Sequence, residues 1–200
     1  MLTIDKDLTK HAREFQGYLD KGDYEVSATG IVFPKASAMA SGVYIHDVNG
    51  LDEREDPNLL PTEGLNHILE VALSATAKAN TFYLALFSGA YTPASTVTAA
   101  TFTAAATEIT SNTEGYSDTT RRTWTPSAAA AGAIDNTASK AAFTIVTATS
   151  VTIRGAAMLS SNVKGGTAGA LISISRFAAD RVQYNTDVFN LGYRVRLQST

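Results

Sequence analysis

Proton transfer and metal binding need histidines, cysteines or paired carboxylates at set spacings, and this chain offers few. Its 200 residues include no cysteine and three histidines, His11, His46 and His67. Without cysteine there is no disulfide, zinc-thiolate site, iron–sulfur cluster or thiol nucleophile. Neither His11 nor His67 has a second histidine four residues on, so the paired-histidine zinc pattern of one helix face is absent. His46, beside Asp47, reads as a solvated strand end. Asp47-Val48-Asn49-Gly50-Leu51-Asp52 resembles part of a calcium loop. Such a loop needs Gly sixth and Glu twelfth, whereas here Gly comes fourth and Asn58 twelfth, so the segment reads as a turn.

The remaining candidates fare no better. Lys164-Gly165-Gly166-Thr167-Ala168-Gly169 is glycine-rich, but its Lys precedes the glycines and an apolar strand follows. A phosphate loop has the reverse order at the start of a helix, so a hairpin loop is expected. Ser161 and Lys164 have the spacing of a serine nucleophile and its lysine base, yet lie in that loop instead of on one helix face. Glu108, Glu114, Asp118, Asp135, Asp180 and Asp187 fall in loops or at strand ends and read as scattered, not as a glycosidase pair. Arg121-Arg122 beside Trp124 could bind nucleic acid or sugar by stacking and charge. With no wider basic patch, Trp124 is expected in the core with the arginines covering it or meeting a partner's carboxylates. No catalytic residue, cofactor, cofactor-binding residue or metal ligand is assigned, and the chain is expected not to be an enzyme.

The composition bounds what must carry any function. Ala and Thr supply 58 of the 200 residues and charged residues only 18%, so the surface is smooth and weakly charged. The formal charge of −3 gives no electrostatic footprint for direct nucleic-acid binding. No apolar run reaches membrane-spanning length, and the charged N-terminus does not read as a signal peptide. The charge is unevenly placed. Residues 1–60 hold 11 acids and 6 bases, whereas residues 61–200 hold 8 acids and 10 bases.

The patterning gives a helix over Asp5–Leu19, with Leu8, Ala12, Phe15 and Leu19 on one face. Short β-like pieces follow at Tyr24–Val26, Gly30–Phe33 and Gly42–His46. Residues 47–61, acidic and bounded by Asn49-Gly50 and two prolines, read as a linker. Leu65, Ile68, Leu69, Ala72 and Leu73 form a single-face stripe on a helix spanning about 62–75. Beyond it the period changes to two. Strands are expected at 81–88, 119–125, 141–147, 151–159, 170–177 and 189–197, the last with Phe189, Leu191, Tyr193, Val195 and Leu197 on one face. The Ala/Thr-rich stretch 91–107 and the Ala-rich 127–133 are where a helix could replace this strand pattern.

The strings Leu60-Pro61-Thr62-Glu63-Gly64-Leu65-Asn66, Thr81 to Gly89, Tyr91-Thr92-Pro93-Ala94, Ala138 to Thr144 and Lys164 to Leu171 resemble the capsid cement, or decoration, proteins of tailed bacteriophages. The likeness covers about two-thirds of the chain. It implies a jelly-roll module on the outer capsid face, without catalytic residues. The expected fold is mainly β, a jelly-roll-like antiparallel β-sandwich over residues 59–200, preceded by an extended N-terminal arm, 1–58, that carries a helix. Phe15, Leu19, Tyr24, Val32, Phe33, Tyr44 and Ile45 of the arm are the expected protein interface, since such short apolar pieces need a neighbour's surface. The expected role is a virion structural protein, made in the host cytoplasm, that binds and stabilises the major capsid protein lattice and associates with itself as a dimer or trimer. A head–tail adaptor or tail protein is the alternative. A carbohydrate-binding module stacking sugars on Trp124, Tyr91 and Tyr116 is more remote.

Overall fold

The computed structural model describes residues 24–26, 32–34 and 38–199. The helix expected over Asp5–Leu19 lies outside them, as do Phe15 and Leu19. By its contacts the chain divides into two units, one of residues 40–197 and one of residues 1–39 with 198–200. In the smaller unit, strands β1 (Tyr24–Val26) and β2 (Val32–Pro34) pair antiparallel, with Glu25 opposite Phe33.

The larger unit is mainly β and antiparallel, built as a sandwich-like pair of sheets with two helices. Its strands are β3 (Ala38–Val48), β4 (Leu51–Pro57), β5 (Phe82–Phe87), β6 (Gly115–Tyr116), β7 (Arg122–Trp124), β8 (Ala133–Asp135), β9 (Ala141–Val146), β10 (Val151–Leu159), β11 (Leu171–Gln183) and β12 (Val188–Ser199). The helices are α1 (Thr62–Leu73) and α2 (Ala99–Ala106). One sheet has the order β11-β10-β5-β7, the other β4-β3-β12-β9-β6 with β8 also paired to β12. Two hairpins, β3–β4 and β10–β11, are local, and the other pairings cross between distant parts of the chain.

Side-chain alternation explains two hydrophobic layers. On β5, Leu84 and Leu86 join the core between the sheets, where Tyr116, Phe143, Phe189, Leu191 and Tyr193 are buried. Ala85 and Phe87 point the other way and pack with Phe102 and Ala106 of α2. A strand covered on both faces reads as a continuous apolar run, which is why Phe82–Phe87 lacks polar alternation. On β12, Phe189, Leu191 and Tyr193 are buried as the period of two requires, while Leu197 is 54% exposed near the strand's end. The Ala/Thr-rich stretch 91–107 holds α2, a second helix beyond the one expected. Residues 127–133 are not helical but form a tight hairpin, closed by the Ala130–Ala133 bridge around Ala131 and Gly132 at positive φ. Lys164–Gly169 is a hairpin loop as expected, between β10 and β11.

The arm boundary at residue 58 is corrected, because β3 and β4 belong to the sandwich. The acidic segment 47–61 is not a linker. Asn49 and Gly50, both at positive φ, turn β3 into β4. The outer edge of β4 and the chain after it then run antiparallel along β11. Arg181 Nη2 donates to the Asp52 carbonyl at 2.5 Å, Ala178 N to Asp56 Oδ1 at 2.6 Å, and Ser175 Oγ to the Pro57 carbonyl at 2.7 Å. Leu59 and Ile174 exchange backbone hydrogen bonds of 2.8 and 3.0 Å. Leu171 N donates to Glu63 Oε2 at 2.7 Å. This seam joins one sheet to the other.

Deleting residues 1–39 should leave a folded sandwich with a cooperative thermal transition by circular dichroism. Deleting 1–58 removes β3, β4 and half of the seam, and should abolish that transition. A cooperatively melting product lacking residues 1–58 would contradict the placement of β3 and β4.

Candidate interaction surface

The titratable residues with the most unusual surroundings sit beneath the seam. His46 is completely buried, its ring stacked 4.0 Å from Phe177 and 5.4 Å from Phe189. Arg181 Nε donates to His46 Nδ1 at 3.2 Å, so that nitrogen is an unprotonated acceptor. The proton is therefore on Nε2, which donates to Asp56 Oδ2 at 2.8 Å. Burial first, then the Arg181 charge, lower the His46 pKa against the opposing pull of Asp56. The expected solvated strand end is thus a neutral, buried hinge between β3, β4 and β11. Arg181 continues to Asp52 Oδ2 at 2.5 Å. Lys140 bonds Asp47 at 2.7 Å and also Glu53.

A second lock fixes the loop before β11. The side chains of Glu108 and Arg121 are both fully buried and pair through two bonds, Nε to Oε1 at 2.7 Å and Nη2 to Oε2 at 2.8 Å. Thr103 Oγ1 and Gly165 N also donate to Glu108, and Arg121 donates to the carbonyls of Ser161 and Gly166. Both charges are satisfied from several directions, as buried ions require. Beside them the Lys164 ammonium lies 3.3 Å from the centre of the Tyr116 ring, and desolvation lowers its pKa to about 8.

The other sequence candidates are occupied within the chain. Trp124 is 8% exposed and donates to Asn136 Oδ1 at 3.0 Å, and Tyr116 is fully buried, so neither offers a face to a sugar. Of the six acids, Glu114 binds Thr147 and the Ala148 amide; Asp118 pairs with Arg122 and Asp135 with Arg194. Asp180 pairs with Arg154 and Arg176, and Asp187 accepts from Asn49 and the Tyr184 amide. Among the described residues, no group of three or more His, Asp or Glu side chains is arranged to hold a metal ion, and no helix is long and apolar enough to cross a membrane.

The expected interface residues divide. Tyr24 lies in β1, and Val32 and Phe33 in β2. Tyr44 and Ile45 are corrected. They are 0% and 3% exposed on β3, and Tyr44 Oη lies 2.6 Å from Ser173 Oγ across the sandwich, so both serve the core of their own chain. The surface the sequence reading missed is on α1. On its single-face stripe, Leu65, Leu69 and Leu73 are 40%, 55% and 81% exposed. The buried contact is made by Gly64 instead: a Cβ there would meet the Ile172 carbonyl oxygen at 2.3 Å, so the helix backbone rides directly on β11. Glu63 holds this seat, since Oε2 accepts from Leu171 N and from Ala99 N at the start of α2, both at 2.7 Å. Gly64 and Glu63 turn one flank of α1 inward, and the leucines at i, i+4 and i+8 outward.

Compared with known proteins, the chain matches no protein-family model and no curated sequence.

Two stability measurements follow from these clusters. Unfolded His46 gains a proton below pH about 6.5 while the folded form resists it, so stability falls as pH drops below that value, by up to about 1.4 kcal/mol per unit. His46→Gln keeps a donor for Asp56 and an acceptor for Arg181 without titrating, and should flatten the urea midpoint between pH 6.5 and 5. An unchanged pH slope would contradict the assigned tautomer and burial. Arg121→Met leaves Glu108 buried without its partner and should cost about 3–5 kcal/mol in urea unfolding, a loss that a surface pair would not produce.

Proposed function

We propose that the chain is a virion structural protein, a capsid cement protein that binds the outer face of the major capsid protein lattice and stabilises it. The observation that carries this reading is the exposed leucine ridge of α1, held on a sandwich whose buried ions are matched within the chain. A cement must present a fixed apolar surface without deforming, and a helix seated on a strand backbone and anchored by Glu63 meets that need. The resemblance supports the same reading: its strings fall on α1, which carries the ridge, and on β5, β9 and the β10–β11 loop of the larger unit. A contiguous ridge of large apolar side chains on one helix face marks a site of protein association. Self-association as a dimer or trimer through the first 39 residues belongs to the same proposal.

Particles assembled without the protein should form normally but lose contents at lower temperature or lower ionic strength than complete ones, and adding the purified chain should restore resistance. Particles equally robust without it, or a copy number of a dozen or fewer per particle, would overturn the cement reading.

A further inference from the structure

We infer that the ridge Leu65–Leu69–Leu73 inserts into an apolar groove of the major capsid subunit whose rim, on the side facing Glu70, is basic. This inference rests on the cement reading and names the contact by which that reading would work.

Three observations choose this occupant over the alternatives. The first is area. The exposed parts of the three leucines offer on the order of 300 Å², so two ridges packed face to face would cover on the order of 600 Å², against roughly 1,200 Å² for a small stable interface. A groove that also wraps the flanks of α1 covers more surface than a second ridge can. The second is charge. Asp56 is buried beneath the seam and Glu63 is turned inward onto β11, so Glu70 is the acid beside the ridge; α1 has no Lys or Arg, and its last turn carries no basic residue. A two-fold pairing centred on Leu69 would bring Glu70 of both copies together at the axis, where like charges oppose association. Glu70, with the negative end of the helix dipole at Leu73, attracts a cationic rim. The third is geometry. Leucines at i, i+4 and i+8 on a fixed helix are the anchor pattern by which helices seat in apolar grooves. Gly64 against the Ile172 carbonyl prevents α1 from rolling to bury them on its own sheet.

The test uses the full-length chain and shells of the major capsid subunit assembled without it. Wild-type protein should co-sediment with the shells, while Leu69→Asp should bind at least tenfold more weakly. Leu69 is more than half exposed, so the variant should keep the wild-type melting temperature within a few degrees. Glu70→Lys should weaken binding and reduce its dependence on salt. If wild-type protein does not bind the shells, the cement reading falls and this inference with it. If wild-type and Leu69→Asp bind alike, the inference alone is overturned. It is also overturned if Leu69→Asp changes the sedimentation coefficient of the free protein, which would make the occupant a second copy. Newly rapid proteolysis within residues 1–39 of that variant would overturn it too, by making the occupant the chain's own N-terminal segment.

Discussion

The seam along β11 is the contact on which the rest of the molecule depends. From Leu171 to Arg181 this strand holds Glu63 and Gly64 at the start of α1 and then, in antiparallel order, Leu59, Pro57, Asp56 and Asp52. Its upper part seats α1, and its lower part closes the sandwich over His46. Because the same strand also pairs with β10 along its length, any loss of the seam separates the sheets and releases the helix together. Stability and surface are therefore set by one element.

The seam also gives the uneven charge a physical meaning. The acidic excess of the first 60 residues invites the reading of a free acidic arm seeking a basic surface. For residues 47–56 that surface is within the chain: Asp52 meets Arg181, and Asp47 and Glu53 meet Lys140. The exposed members of these pairs contribute little individually, but Arg181 and Lys140 are mostly buried: Arg181 holds β4 through two bonds to Asp52, and Lys140 ties Asp47 of β3 to Glu53 of β4.

Much of the sandwich was legible in the residues, because alternation survives wherever one face of a strand is buried. Phe189, Leu191 and Tyr193 show this on β12, and the doubly covered run of β5 was legible for the opposite reason. What escaped depended on partners far away in sequence. β4 reads as a charged linker because the arginine that holds it is 129 residues on. The stretch 91–107 is marked in the sequence as a place where a helix could replace strand, but α2 itself is not defined there, because Ala99, Phe102 and Ala106 make too small an apolar face among alanines and threonines to stand out. The stripe of α1 was found but its direction was not. Periodicity defines a face; only the contact of Gly64 with β11 decides which face is covered. The expected interface falls on the short apolar pieces of the arm because they read as needing a neighbour's surface, and of these the core absorbs Tyr44 and Ile45.

A clasped sandwich carries one helix whose apolar ridge is exposed, and the proposal is that this ridge works against another protein. The most direct test is a cryo-electron microscopy reconstruction of the particle. The account predicts density for the sandwich on the outer capsid surface, repeated over the lattice, with α1 turned toward the shell and its leucines covered. Density confined to the tail or the portal vertex, or a sandwich on the shell with α1 facing solvent, would contradict it.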